Sequence, residues 1–184
     1  MGLTSEQAHW IVGAELCALA LTLLLYELQV WPARGLRYAL GATLLVLAAE
    51  GVLFPAIEGA LTPERFDATT AQHLLLATLC LVVGLVELWR AARGMQGGGA
   101  RAALPLGLLA TSAIFVFHAQ HHSAAPRVLL TVQHRILGAS LAVGGLTRGA
   151  AELPVPAARS FKTAWLVPLF LAGVQLLLYT ETSG

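Results

Sequence analysis

The residues of this chain best suited to chemistry are histidines, and four of the six lie within residues 115–139. His118 and His122 are four residues apart, and His121 lies three residues after His118. On a helix, these spacings place all three imidazoles on one face, within an arc of roughly 100°. Helix-borne zinc sites use such an i, i+4 pair, and imidazole also suits copper, iron and nickel. The spacing therefore predicts a transition-metal site.

Two further histidines and one carboxylate complete the predicted site. His73 and His134 each follow a glutamine near the start of an apolar segment. A rise of about 1.5 Å per residue gives them depths similar to that of His118. Glu58, near the end of another apolar segment, can add a hard oxygen ligand. In an alternative hypothesis, His73, His118 and His134 bind haem b. The predicted metal ligands are His73, His118, His121, His122, His134 and Glu58, with copper as first choice and zinc or iron as alternatives.

The composition is that of an integral membrane protein. Of the 184 residues, 57% are hydrophobic and 11% are charged, whereas soluble domains carry about 25% charged residues. A net charge of +1 gives no support for nucleic-acid binding. Cys17 and Cys80 lie inside apolar runs, so a disulfide framework is not expected. We therefore predict a lipid bilayer as the partner of this chain and no nucleic acid.

Six segments of roughly 20 apolar residues predict an all-α protein of six transmembrane helices in a single domain, residues 1–184. A T-x-x-Q capping box starting at Thr4 opens the first helix, and Asp67 is a predicted N-cap of the third. Pro55 is expected to kink the second helix, and Pro126 marks the first turn of the fifth. The predicted helices cover about residues 6–29, 36–59, 67–92, 102–122, 126–147 and 161–179.

Basic residues predict the side of the membrane on which each connection lies. Eight of the eleven arginines and lysines fall in connections 1–2, 3–4 and 5–6, which the positive-inside rule places in the cytoplasm. Both termini and all six histidines are then predicted to face outward from an inner or plasma membrane. An outward-facing site meets metal outside the cell, which favours copper. The eight residues are Arg34, Arg37, Arg90, Arg93, Arg101, Arg148, Arg159 and Lys162.

A repeated pattern links the odd-numbered helices. Helix 3 reads TAQHLLLAT, helix 5 reads TVQHRILGA, and helix 1 reads QAHWIVGA. The pattern predicts three helical hairpins related about an axis along the membrane normal, so that equivalent histidines converge. We expect helices 2 to 5 to form a four-helix working bundle around His73 and His134, flanked by helices 1 and 6. His9, at the start of helix 1, is expected to be solvated.

Besides Glu58, four carboxylates lie inside the apolar segments. Glu15 and Glu50 are deep enough that an unpaired carboxylate there must be protonated or must pair with a cation. They either pass protons or ions inward or form hydrogen bonds across helices, and the sequence leaves both interpretations open. Glu27 and Glu87, at the cytoplasmic ends of their helices, are expected to snorkel to water.

Three functions are consistent with these residues. The first is metal binding or metal homeostasis at a periplasmic-facing site, and the second is electron transfer by a b-type haem. In the third, the chain is a small subunit or an assembly factor of a larger membrane complex. Association with other subunits or with further copies of the chain fits each of them. The sequence predicts neither a reaction nor a substrate, so enzymatic activity stays open.

Overall fold

A computed structural model of the chain describes residues 4–94, 98–117, 127–154, 158 and 161–181. Within these residues the structure is all-helical and contains no strand, which confirms the predicted fold class. His118, His121, His122 and Pro126 lie outside the described residues. The six helices are α1 (Ser5–Glu27), α2 (Ala39–Ile57), α3 (Ala68–Ala92), α4 (Ala103–Val116), α5 (Arg127–Ala151) and α6 (Leu166–Leu177).

The signals for helix starts act as predicted. Thr4 and Gln7 form the capping box of α1: the Gln7 N–H donates to Thr4 Oγ1 at 3.2 Å, and the Thr4 N–H donates to Gln7 Oε1 at 3.0 Å. Asp67 caps α3 by accepting the N–H of Thr70 at 2.7 Å. These caps satisfy backbone donors that have no partner inside the helix.

Three helices differ from their predicted limits by four residues or more. α4 has its C-cap at Phe117 instead of continuing to 122, so the helical spacing assumed for His118, His121 and His122 stays a prediction. α5 continues to Ala151 rather than ending at 147, because an ion pair between Arg148 and Glu152, four residues apart, supports its last turn. α6 begins only at Leu166. Pro168 lies in its first turn, where a missing backbone N–H costs nothing, so the helix starts close to it.

The six helices close into a ring of three tight pairs. α2 packs mainly against α3, α4 against α5 and α1 against α6, while looser contacts join α1 to α2, α3 to α4 and α5 to α6. A Cβ on Gly13 would lie 2.7 Å from the Gly173 carbonyl oxygen, and a Cβ on Gly41 would lie 2.9 Å from the Gly84 carbonyl oxygen. Small residues thus let the paired backbones approach closely. The predicted four-helix bundle of helices 2 to 5 is part of this six-helix ring, which α1 and α6 complete.

The outer surface of the ring is apolar. Five of the described helices are long and apolar enough to cross a bilayer, and α6 is a shorter apolar helix. Large side chains on this surface, such as Leu106, Leu146 and Val167, are 61–63% exposed. These properties are those of a multi-pass membrane protein whose helices contact lipid.

A buried group of charges lies at the ends of α3 and α5 and is called here the arginine cluster. Arg90 is 2% exposed, with Nη1 2.7 Å from Glu87 Oε1 and Nη2 3.2 Å from Glu152 Oε1. Arg148 also pairs with Glu152 and lies over the Trp165 ring. The expectation that Glu87 snorkels to water is therefore wrong. Its side chain is 2% exposed, because Arg90 supplies a buried counter-charge.

Candidate histidine site

All three histidines among the described residues line one cavity inside the ring. This central cavity has a volume of about 990 Å³, and residues from all six helices line it. His9 on α1, His73 on α3 and His134 on α5 lie in its wall together with Tyr179, which follows α6. The end of the ring that holds these four residues, where α1, α3 and α5 begin, is called here the histidine end. Each tight helix pair therefore contributes one imidazole to the same cavity.

The three imidazoles are anchored in the same way. In His9, His73 and His134, Nδ1 lies 2.7–2.8 Å from the carbonyl oxygen of the residue four positions earlier. A carbonyl oxygen can only accept, so Nδ1 carries the proton and Nε2 carries the lone pair of the neutral ring. Metal-binding histidines usually donate their other nitrogen to such an acceptor, which fixes both the tautomer and the ring orientation.

His9, His134 and Tyr179 form a ring cluster at the histidine end. The Tyr179 ring stacks on His9 with centroids 3.9 Å apart and an angle of 16° between the planes, and it meets His134 edge-on at 6.0 Å. The centroids of His9 and His134 are 6.4 Å apart, and Phe115 packs on His134 at 5.8 Å. The Tyr179 hydroxyl lies 3.3 Å from Glu181 Oε1. Burial, and then the Glu181 carboxylate, raise the pKa of Tyr179, so the phenol stays protonated.

His73 completes the group and lies next to the end of α4. It lines the same cavity as His9 and His134. Beside it, Gln72 Nε2 donates to the Phe117 carbonyl oxygen at 3.4 Å, so α4 ends against the first turns of α3. The residues after Phe117 begin the predicted histidine cluster. Its members His118, His121 and His122 lie outside the described residues, and their role as ligands stays a prediction.

Glu58 is the most exposed of the predicted ligands that the structure describes. It forms the C-cap of α2, and its side chain is exposed. Its carbonyl oxygen accepts from Arg65 Nη1 at 3.4 Å. Glu58 nevertheless contributes to the lining of the central cavity.

His9, His73 and His134 do not by themselves form a complete metal site. Among the residues that the structure describes, no group of three or more His, Cys, Asp or Glu side chains is placed to hold a metal ion. Two imidazoles bound to one metal at about 2.0–2.1 Å have ring centroids roughly 5 Å apart at a tetrahedral angle, and roughly 6.5 Å apart only when their nitrogens lie on opposite sides of the metal. The separation of 6.4 Å between His9 and His134 lies near the upper end of this range. A bound metal therefore needs further ligands or a small movement of these rings.

Comparisons with protein-family models, with curated proteins and with solved structures found no match to this chain. No likeness to another protein therefore assigns a role to the three anchored histidines. What they do has to be inferred from their chemistry and from the cavity that they line.

Two carboxyl groups meet farther inside the ring. Glu15 on α1 and Glu50 on α2 are hydrogen-bonded to each other through their side chains, which requires at least one proton because two carboxylates can only accept. In each, Oε2 is buried and has no hydrogen-bond partner among the described residues. Glu50 and Cys80 also line the central cavity. The two carboxyl groups thus interact across α1 and α2, and passage of protons or ions along this pair stays a prediction.

Sequence reasoning missed the part that α1 and α6 play in the site. His9 is half-buried beneath Tyr179 and not solvated as expected. The reason is that Tyr179 comes from the far end of the sequence, and only the pairing of α1 with α6 brings it to His9. One signal was available: the match of QAHWIVGA in helix 1 to the repeat places His9 at the position of His134 in helix 5.

Proposed function

We propose that this protein binds a transition-metal ion, copper first and zinc or iron next, at the histidine end of the central cavity. His73 and His134 are the proposed ligands from the described residues. One observation supports the proposal most directly: imidazoles from separate helix pairs line one cavity, each with Nδ1 held by the backbone. Neutral imidazoles oriented in this way are ligands that suit copper and zinc. The further proposed ligands are His118, His121 and His122, which follow the end of α4.

The position of the histidines favours a binding role over a structural one. His134 is 6% exposed, and ionisable side chains inside a membrane bundle are rare unless they pair or bind a ligand. Its hydrogen bond to the Leu130 carbonyl oxygen explains how one buried imidazole is tolerated. Packing alone gives no reason for three imidazoles to line the same cavity. Glu58 supports the proposal least, because its side chain is exposed.

A second candidate function follows from the size of the cavity. A volume of about 990 Å³ is far more than one ion needs, and it lies at the upper end of the range of about 300–1,000 Å³ typical of ligand pockets. Apolar side chains such as Leu108 and Phe115 contribute to its wall. A b-type haem, bound by two of His73, His118 and His134, would occupy this volume and would make the protein an electron carrier.

Absorption spectroscopy and elemental analysis of the full chain, purified in mild detergent, distinguish the two candidates. A Soret band with iron identifies haem. Copper, zinc or iron near one equivalent per chain, without a Soret band, identifies a bare metal ion. Protein that contains neither, and that takes up neither when supplied with them, would contradict both candidates. The remaining hypothesis is then a small subunit or an assembly factor of a larger membrane complex.

Substitution of the proposed ligands tests which residues hold the metal or haem. His73→Ala and His134→Ala should each abolish occupancy, because a site with about four ligands loses affinity sharply when one is removed. His118→Ala tests the segment after α4 in the same way. Arg135→Ala is the matched control, because Arg135 is exposed and directly follows His134. Full occupancy in all three histidine variants would exclude these residues as ligands.

We also propose that the histidine end faces away from the cytoplasm in an inner or plasma membrane. The support is the positive-inside rule, since most basic residues fall in the opposite connections. Reporter fusions after Thr62 should label the outside, and fusions after Gly94 should label the cytoplasm. The reverse labelling would place the site in the cytoplasm and would remove the reason for preferring copper.

A further inference from the structure

We propose that a small pocket between α5 and α6 binds the ring of an alkyl hydroquinone dissolved in the membrane. The residues that line this side pocket include Gln133, Ile136, Gln175, Leu178 and the three members of the ring cluster. The ring cluster also lines the central cavity, so it lies between the two spaces. Binding in the side pocket goes beyond the proposed function, because it needs neither a metal ion nor a haem.

The side pocket opens toward the lipid bilayer. α5 packs on α6 more loosely than the helices of the three tight pairs pack on each other. Ile136 and Leu178, which contribute to the wall of the pocket, are 49% and 73% exposed on the outside of the ring. Because lipid covers the apolar outer surface of a membrane bundle, a ligand dissolved in the bilayer can enter the pocket between α5 and α6.

The volume of the side pocket matches one six-membered ring. It measures about 160 Å³, and an apolar protein cavity of about 150 Å³ holds one benzene molecule. The ring cluster supplies part of the wall, and aromatic rings pack favourably against one another in edge-to-face or offset arrangements. The size and the wall of the pocket therefore favour an aromatic ring over a fatty chain as the occupant.

Two amide side chains give the side pocket its hydrogen-bonding character. Gln133 Oε1 on α5 is buried and has no hydrogen-bond partner among the described residues, and an unpaired buried acceptor is costly. On α6, Gln175 Oε1 accepts the Ser140 hydroxyl at 3.2 Å, which leaves the Gln175 Nε2 group to donate. The pocket therefore offers a ligand one acceptor and one donor.

An alkyl hydroquinone combines the properties that the side pocket requires. Each of its hydroxyl groups both donates and accepts, so one hydroxyl can donate to Gln133 Oε1 and accept from Gln175 Nε2. Its ring has the required size, and its alkyl chain would pass Ile136 and Leu178 into the lipid. The oxidised quinone carries only carbonyl acceptors and cannot donate to Gln133. The side pocket should therefore bind the reduced form more tightly than the oxidised form.

The experiment measures binding of tritiated decylhydroquinone, kept reduced with ascorbate under nitrogen, to the full chain in lipid nanodiscs. Protein-free nanodiscs give the background from partition into lipid, and the wild type should bind saturably above it. Gln133→Leu removes the acceptor and should weaken binding roughly threefold to tenfold, whereas Ile136→Trp fills the mouth of the pocket and should abolish binding. Gln29→Leu is the matched control, because Gln29 is exposed after the opposite end of α1, and it should bind like the wild type.

Several outcomes would overturn this assignment. Binding by the wild type that does not exceed the lipid background, or wild-type affinity in Ile136→Trp, would show that the side pocket is not the site. Displacement by n-decanol as effective as that by unlabelled decylhydroquinone would show that a hydroxyl and a chain are enough without a ring. Equal affinity for the oxidised decylquinone, or wild-type affinity in Gln133→Leu, would remove the hydrogen bond to Gln133. Gln133→Leu should fold, because it replaces a buried unpaired oxygen with an apolar group of similar size, and gel filtration checks each variant.

Discussion

Removal of Arg90 should be among the most destabilising single changes in this protein. Arg90 is 2% exposed and its Nη1 lies 2.7 Å from Glu87, whose side chain is also 2% exposed. Arg90→Gln would leave the Glu87 carboxylate buried without its counter-charge, which typically costs about 3–5 kcal/mol of unfolding free energy. Glu152 keeps Arg148 as a partner, so the lost contact at 3.2 Å to Glu152 should add little.

The assay is reversible unfolding of the detergent-solubilised protein by SDS, followed by circular dichroism. Glu87→Gln combined with Arg90→Gln should recover most of the loss, because it removes the unpaired charge together with its partner. Arg93→Gln is the control: Arg93 is exposed and lies 4.8 Å from the Trp89 ring centroid, so its loss should cost less than about 1 kcal/mol. Two results would refute the reasoning. One is an equal loss of unfolding free energy in Arg90→Gln and Arg93→Gln, and the other is a double variant that is no more stable than Arg90→Gln.

Three further predictions concern packing and local structure, each measured in the same unfolding assay. Gly173→Leu should cost about 1–3 kcal/mol or more, because its Cβ would lie 2.8 Å from the Gly13 carbonyl oxygen; unchanged stability would contradict the close pairing of α1 with α6. Glu50→Ala should cost about 1–3 kcal/mol of unfolding free energy, because it leaves the Glu15 carboxyl without its partner. Glu50→Gln keeps a hydrogen bond to Glu15 and should cost less. A larger loss in Glu50→Gln than in Glu50→Ala would contradict the interaction of Glu15 with Glu50. Asp67→Ala should cost about 1 kcal/mol and speed amide exchange in the first turn of α3, and unchanged exchange would argue against the cap.

The features that the sequence predicted correctly depend on neighbouring residues. The capping box at Thr4 and Gln7 and the cap at Asp67 each involve residues three positions apart, so the chain specifies them locally. The six apolar segments reflect composition, which does not depend on how the helices are arranged. The repeated Q-H pattern likewise placed His73 and His134 at equivalent positions, and both line the central cavity.

The features that the sequence did not predict depend on distant contacts. Glu87 resembles any carboxylate near a membrane surface until Arg90 is seen to pair with it in the interior. His9 resembles a solvated histidine until Tyr179 is placed on it. Every helix here has an apolar surface, so hydropathy could not select α6 as the main partner of α1. The histidines after α4 lie outside the described residues, and their role depends on the proposed measurements.

The pairing of α1 with α6 also has a consequence for biosynthesis. Gly13 and Gly173 are in contact, yet 160 residues separate them in the sequence. At a translation rate of about 5–20 residues per second, α6 is synthesised roughly 8–30 s after α1. During this interval α1 resides in the bilayer without its main partner, and its surface around Gly13 is covered by lipid or by the insertion machinery. The wall of the central cavity is therefore complete only after the ribosome has synthesised α6.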